Sequence, residues 1–267
     1  MLLLIDHLTR YRYDVPVRGV VQSHRLTPSL HDGQEVIDWQ IEVSGGVMGG
    51  SFRDGAGDVV QGWSVKGPVR EIEVRVRGRV ATNDTAGVLR GHRESVAVEA
   101  YLRETQLTEL AGGLATLARL AEGAENRLAA CHLLSSAVSE AVAYTPGATQ
   151  MHTTAAEALE EGEGVCQDHA HILCAVARAN GVPARYVSGY LLAEGAAHQA
   201  AHAWAELFVP GLGWVGFDPA NECCPDARYV RLGSGLDARE AAPIRGSARS
   251  TGAETLDVTV AVLATQQ

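Results

Sequence analysis

Cys166, His202 and Asp218 are the residues of this chain whose types and settings suit nucleophilic chemistry. Cys166 follows Glu161-Gly-Glu-Gly-Val165, where Gly162 and Gly164 let the backbone turn sharply and approach a substrate closely. The pattern beyond it predicts a helix over 166–179, closed by Asn180-Gly181. The helix would then begin at the cysteine itself, so its free N–H groups and positive end would favour the nucleophilic thiolate. Such a nucleophile needs a base, and the base needs an orienting group. His202 opens the apolar strand HAWAELFV, and Asp218 closes the strand GWVGFDP after a turn at 210–213. Cross-strand neighbours point to the same face, so His202 and Asp218 can meet only if paired residues have numbers of equal parity. That predicts an odd-length loop around 210–213, or a bulge beside it.

The other cysteines, Cys131, Cys174, Cys223 and Cys224, read as buried structural residues. A metal site built from Cys166, His169, His171 and Cys174 conflicts with helical geometry. The two histidines are two residues apart and project from different faces. The two cysteines would lie about 12 Å apart along the helix, which also rules out a disulfide between them. His169 reads as a partly exposed helix position.

Two layers of structure must position these groups. Residues 69–80 alternate, with Ile72, Val74 and Val76 on one face and Glu73, Arg75 and Arg77 on the other. In 36–43 the same period groups Ile37, Trp39, Ile41 and Val43. Gly/Asp-rich breaks separate the runs, as expected of an antiparallel β domain with one wet face. From about residue 105 the period becomes helical: Leu107, Leu110, Leu114 and Leu117 in 106–121, then Leu128, Leu133 and Val138 in 125–143. A short helix follows around 154–160, entered through Thr153-Thr154. Strands ARYVSGYLL, HAWAELFV and GWVGFDP come next, and a final strand is expected at 255–263. No regular pattern emerges in 222–250. The switch of period divides the chain into a β-rich domain, 1–104, and an α+β catalytic domain, 105–267.

Composition narrows the function classes. The net charge of −10, with Arg scattered and Lys66 the single lysine, excludes an electrostatic case for nucleic acid or anionic membrane as a partner. Five cysteines without regular spacing make no disulfide framework and suit a reducing compartment. The opening apolar run is too short for a signal peptide or a membrane span. The expectation is a soluble, cytoplasmic protein. Oligomeric state is not legible.

Two stretches carry a family resemblance. GVCQDHAHILCAVARANGVPARYVSGYL (164–191) and AHAWAELFVPGLGWVGFDPAN (201–221) resemble the core of bacterial transglutaminase-like proteins, which share the papain-like cysteine protease fold. YRYDVPVRGVVQSHRLTPS (11–29) resembles the β-rich N-terminal region of a two-domain branch, and APIRG (242–246) its C-terminal end. The resemblance implies a papain-like transglutaminase core preceded by an antiparallel β domain. It also implies Cys166 as nucleophile, His202 as base and Asp218 as orienter, in agreement with the residue-level reading. His169 departs from the family pattern, which more often has an aromatic residue there. The Gly181–Arg185 and Ser188–Tyr190 segments belong to the pattern and read as structural. For the oxyanion, the Cys166 N–H is the natural first donor and Tyr144 the candidate second.

The expected activity is a cysteine peptidase or amidase acting on peptide or related amide bonds, with no metal or organic cofactor. Two alternatives remain: a protein-glutamine amine transferase, and a non-catalytic binding module that keeps the fold.

Overall fold

The computed structural model describes residues 1–192, 201–248 and 252–264. The first sheet is built on two long antiparallel strands, β1 (Leu2–His24) and β4 (Val59–Thr82). Between them run β2 (Gln34–Val43) and β3 (Gly46–Arg53), both paired to β4. Alternation decides the faces. Ile72, Val74 and Val76 are buried with Leu3 and Ile5, while Arg75 and Arg77 bond with Asp6 on the wet face. β2 differs from the simple alternating pattern. A bulge between Val36 and Asp38 leaves Ile37 48% exposed, although Val43 is buried as expected. One extra residue reverses the parity of a strand, so positions on either side of it cannot share a face.

Helices α1 (Leu114–Ala118), α2 (Arg127–Ala141), α3 (Ala155–Glu161) and α4 (Cys166–Ala179) follow. The expected helix over 106–121 shrinks to α1 and a 3₁₀ turn, because Gly112 takes a left-handed φ of 57° just before it. In α2 the buried stripe is Cys131, Leu134 and Val138, whereas Leu133 is exposed. α3 begins as expected at Thr154, whose hydroxyl caps Glu157 N–H while the Glu157 carboxylate caps Thr154 N–H. A two-residue parallel pair joins β5 (Ala143–Tyr144) to β6 (Glu163–Gly164).

The second sheet contains β7 (Ala184–Leu191), β8 (Ala201–Val209), β9 (Gly213–Phe217) and β10 (Tyr229–Gly235), antiparallel in the order β10-β7-β8-β9. Ala203, Ala205, Leu207 and Val209 of β8 pack with α4 residues such as Ile172 and Val176 in one core. Tyr190, Val230 and Leu232 pack into the other core, beneath the first sheet.

The chain then returns to its beginning. β11 (Ile244–Ala248) pairs with the end of β1, and β12 (Glu254–Ala264) pairs with its start, from Leu3↔Ala264 to Tyr13↔Glu254. The single boundary at residue 104 therefore needs correction. The strand expected at 255–263 is present, but it and β11 complete the first sheet rather than the 105–267 domain.

A buried charge chain ties the two layers together. Arg185 and Glu206 face each other across β7 and β8 and bond at 2.6 Å. Arg231 of β10 bonds to Glu206 at 2.9 Å and to Asp58, just before β4, at 2.7 Å. Arg185 also bonds Glu94 and stacks over the Trp214 ring at 4.1 Å. Opposed arginines outweigh the desolvation of Glu206 and hold its pKa down to about 2.

Among the described residues, no helix is long and apolar enough to cross a membrane.

Candidate active site

Cys166 lies where the sequence places it, at the first residue of α4, partly buried. Its two upstream glycines are required for different reasons. Gly162 ends α3 with a left-handed φ of 69°. Gly164 has no room for a side chain, since a Cβ there would sit 2.9 Å from the Cβ of Asp168. Asp168 is fully buried and organises this corner. Its Oδ2 accepts from Val165 N–H at 2.8 Å and from the Thr149 hydroxyl at 2.5 Å, closing the turn that presents the cysteine.

The β8–β9 hairpin has the parity that the site demands. Val209 pairs with Gly213 across the three-residue loop 210–212, and Ala205 pairs with Phe217. His202 and Asp218 therefore project to the same side, and His202 Nε2 donates to Asp218 Oδ2 at 2.6 Å. Burial alone would lower the His202 pKa. The hydrogen bonds with Asp218 and with Cys166 outweigh it and raise the pKa to about 10. At neutral pH the ring is thus an imidazolium with the sulfur on one side and a carboxylate on the other. Burial would raise the Asp218 pKa, but its bonds to His202, Asn221 and Tyr229 hold it below the ordinary value.

Two of those partners were not picked out from sequence. The Asn221 amide donates to Asp218 Oδ2 at 2.7 Å and the Tyr229 hydroxyl at 2.7 Å. Asn221 was within reach, being a side-chain donor three residues after Asp218 on the turn that ends the motif. Tyr229 was not, because every residue of β10 is buried and a strand buried on both faces shows no alternation.

Tyr144 sits on β5 beside Gly164, with its ring 6.3 Å from that of His169. Burial raises the pKa of its hydroxyl, and the nearby Cys166 and Asp218 charges add to this, bringing it to about 12. The group therefore remains a proton donor close to the nucleophile. His169 is not the partly exposed position expected. It is 2% exposed, with Nδ1 3.0 Å from Val165 O and Nε2 3.0 Å from Val142 O, so it knits the start of α4 to the segment before Tyr144. His171 points elsewhere and its Nε2 accepts from Ala238 N–H. Burial lifts the Cys131 and Cys174 thiols to about 11 and also raises those of Cys223 and Cys224.

A helix-borne cysteine facing a histidine–aspartate hairpin defines a protein with a cysteine-type, papain-like site. Comparison with known proteins agrees. Residues 115–219 match the transglutaminase-like superfamily model, and residues 3–81 match the bacterial transglutaminase-like N-terminal region. An uncharacterized protein of Mycobacterium leprae is 30% identical over 273 residues, covering 97% of each chain. A protein-glutamine gamma-glutamyltransferase of Pseudomonas aeruginosa is 37% identical over 82 residues, 28% of this chain and 12% of that one. The solved structure of a candidate cysteine protease from Cytophaga hutchinsonii has a TM-score of 0.77 at 20% identity, covering all of this chain and 92% of the other, which shows a shared fold. The chain belongs to the transglutaminase-like superfamily, with the bacterial N-terminal region attached.

Proposed function

We propose that the chain is a cysteine-dependent acyl-transfer enzyme that hydrolyses peptide or related amide bonds through a thioester. The observation that carries this reading is the His202 ring, bonded to Asp218 on one side and to Cys166 on the other. Cys166 Sγ attacks the amide carbonyl carbon, forming the C–S bond and placing negative charge on oxygen. That charge is met by the Cys166 N–H, which donates no bond among the described residues, and by the Tyr144 hydroxyl. His202 gives its proton to the leaving nitrogen as the C–N bond breaks and the amine departs. Water then adds to the thioester carbon, losing a proton to His202. Breaking the C–S bond releases the carboxylic acid and restores the starting ion pair.

An amine in place of water would make the enzyme a protein-glutamine amine transferase, a reading favoured by its similarity to the Pseudomonas protein of that name. Incubating the protein with a peptide amide and excess labelled primary amine, with and without calcium, separates the two. The expected product is the acid in both cases, and none with Cys166→Ala. A dominant, Cys166-dependent amine adduct would make the amine transferase the correct reading.

A further inference from the structure

A groove of about 430 Å³ opens beside Cys166, and one of its walls comes from the first sheet. The core side contributes Gln167, the neighbour of Cys166, and Ala201, the neighbour of His202. The opposite wall contains Tyr11 of β1 with Leu256 and Val258 of β12. The register pairs Tyr11 with Leu256 and Thr9 with Val258, so these side chains share the face that elsewhere buries Leu3 and Ile5. Here the core stops short of them. Leu256 is 50% exposed and Val258 48%, and Met151 on the groove's rim is 76% exposed. Large apolar side chains left in water around a cleft mark a binding surface. The groove also has a distinct polarity. Arg239 lines it, donates to the neutral Gln106 Oε1 at 3.1 Å and makes no ion pair among the described residues. No carboxylate lines the groove among the described residues.

We propose that this groove binds the peptide flanking the scissile amide, seating an apolar side chain against Tyr11, Leu256 and Val258 and a carboxylate against Arg239. The proposal rests on Cys166 as the nucleophile and gives the first sheet a part in substrate selection.

The test uses labelled hexapeptides of apolar residues with Glu at each successive position, their Gln counterparts, and C-terminally free or amidated forms. Binding is read by fluorescence anisotropy on the full-length Cys166→Ala protein, and turnover on wild type. The expected result is a preference for one Glu position, or for the free C-terminus, over its neutral counterpart. Arg239→Gln should erase that preference, Arg239→Lys should keep part of it, and Leu256→Ser should weaken every peptide about tenfold. Cys166 alkylation by iodoacetamide, too small to need the groove, should be unchanged in these variants. Cys166-dependent turnover that ignores both Arg239 and Leu256 overturns the groove and leaves the catalytic reading standing. Selective binding without any turnover in wild type does the reverse.

Discussion

Asp218 does its bonding through one oxygen. Its Oδ2 accepts from His202, Asn221 and Tyr229, while Oδ1 is buried without a hydrogen-bond partner. The two extra donors fix the carboxylate on the side where His202 needs it. Tyr229→Phe removes one bond to a charged acceptor, worth about 1.5 kcal/mol, and should lower kcat about tenfold with KM little changed. A KM effect alone would contradict this positioning role. The raised His202 pKa sets a second expectation: the alkaline limb of kcat/KM should lie far above 6.5, toward 10. Competitive alkylation gives a third. Cys166 is partly exposed and paired with His202, whereas burial raises the other four thiols, so iodoacetamide should label Cys166 first. His202→Ala should slow that labelling near neutral pH. Simultaneous labelling of every exposed cysteine, indifferent to His202, would argue against an activated thiol. At this scale the sequence was informative, because a nucleophile, a base and an orienter need particular residue types at particular element ends. It did not reveal the roles of His169 and Asp168, since partners such as Val142 O and Thr149 are brought to them only by folding.

The β8–β9 hairpin shows how an element sets the chemistry. A three-residue loop gives His202 and Asp218 one side, and a single inserted residue would turn Asp218 away if the pairing slipped by one. Inserting one glycine after Gly211 should therefore abolish turnover, and a second insertion should restore part of it by restoring parity. Equal activity in both would mean that the ladder absorbs the change through a bulge. Parity was readable from sequence because both strands are short and their ends are marked by Pro210 and Gly213. In β2 the same reasoning misplaced Ile37, because a bulge leaves no compositional sign in VIDWQIEV. In α2 the stripe was misjudged by one position, Leu133 for Leu134, because adjacent leucines leave the phase of a short helix undetermined.

Over the whole molecule, four histidines, His7, His24, His31 and His171, are held neutral by burial, with pKa lowered to about 4. A lowered histidine pKa means that between pH 6.5 and 4 the unfolded chain takes up protons that the folded chain refuses. Stability should fall with acidification across that window, by up to about 1.4 kcal/mol per pH unit for each such histidine. His202 acts at the other end. Its raised pKa stabilises the fold fully below 6.5, and that contribution is lost as pH rises toward 10. Denaturant midpoints measured across pH should therefore peak near 6.5, and a flat profile from 6.5 down to 4.5 would contradict the neutral histidines. Glu206→Gln would leave Arg185 and Arg231 buried with less opposing charge, at a cost of about 3–5 kcal/mol measured by the same method. The domain division was the least legible feature, since a period change marks where helices begin but not where a chain comes home. The pairing of Leu3 with Ala264 has a consequence for biosynthesis. While the ribosome works through everything between them, the outer edge of β1 has no partner and offers open backbone groups to any passing strand. The apolar run that begins the chain thus waits for the last strand to be made, so slow translation or a chaperone holding that edge should govern how much of this protein folds rather than aggregates.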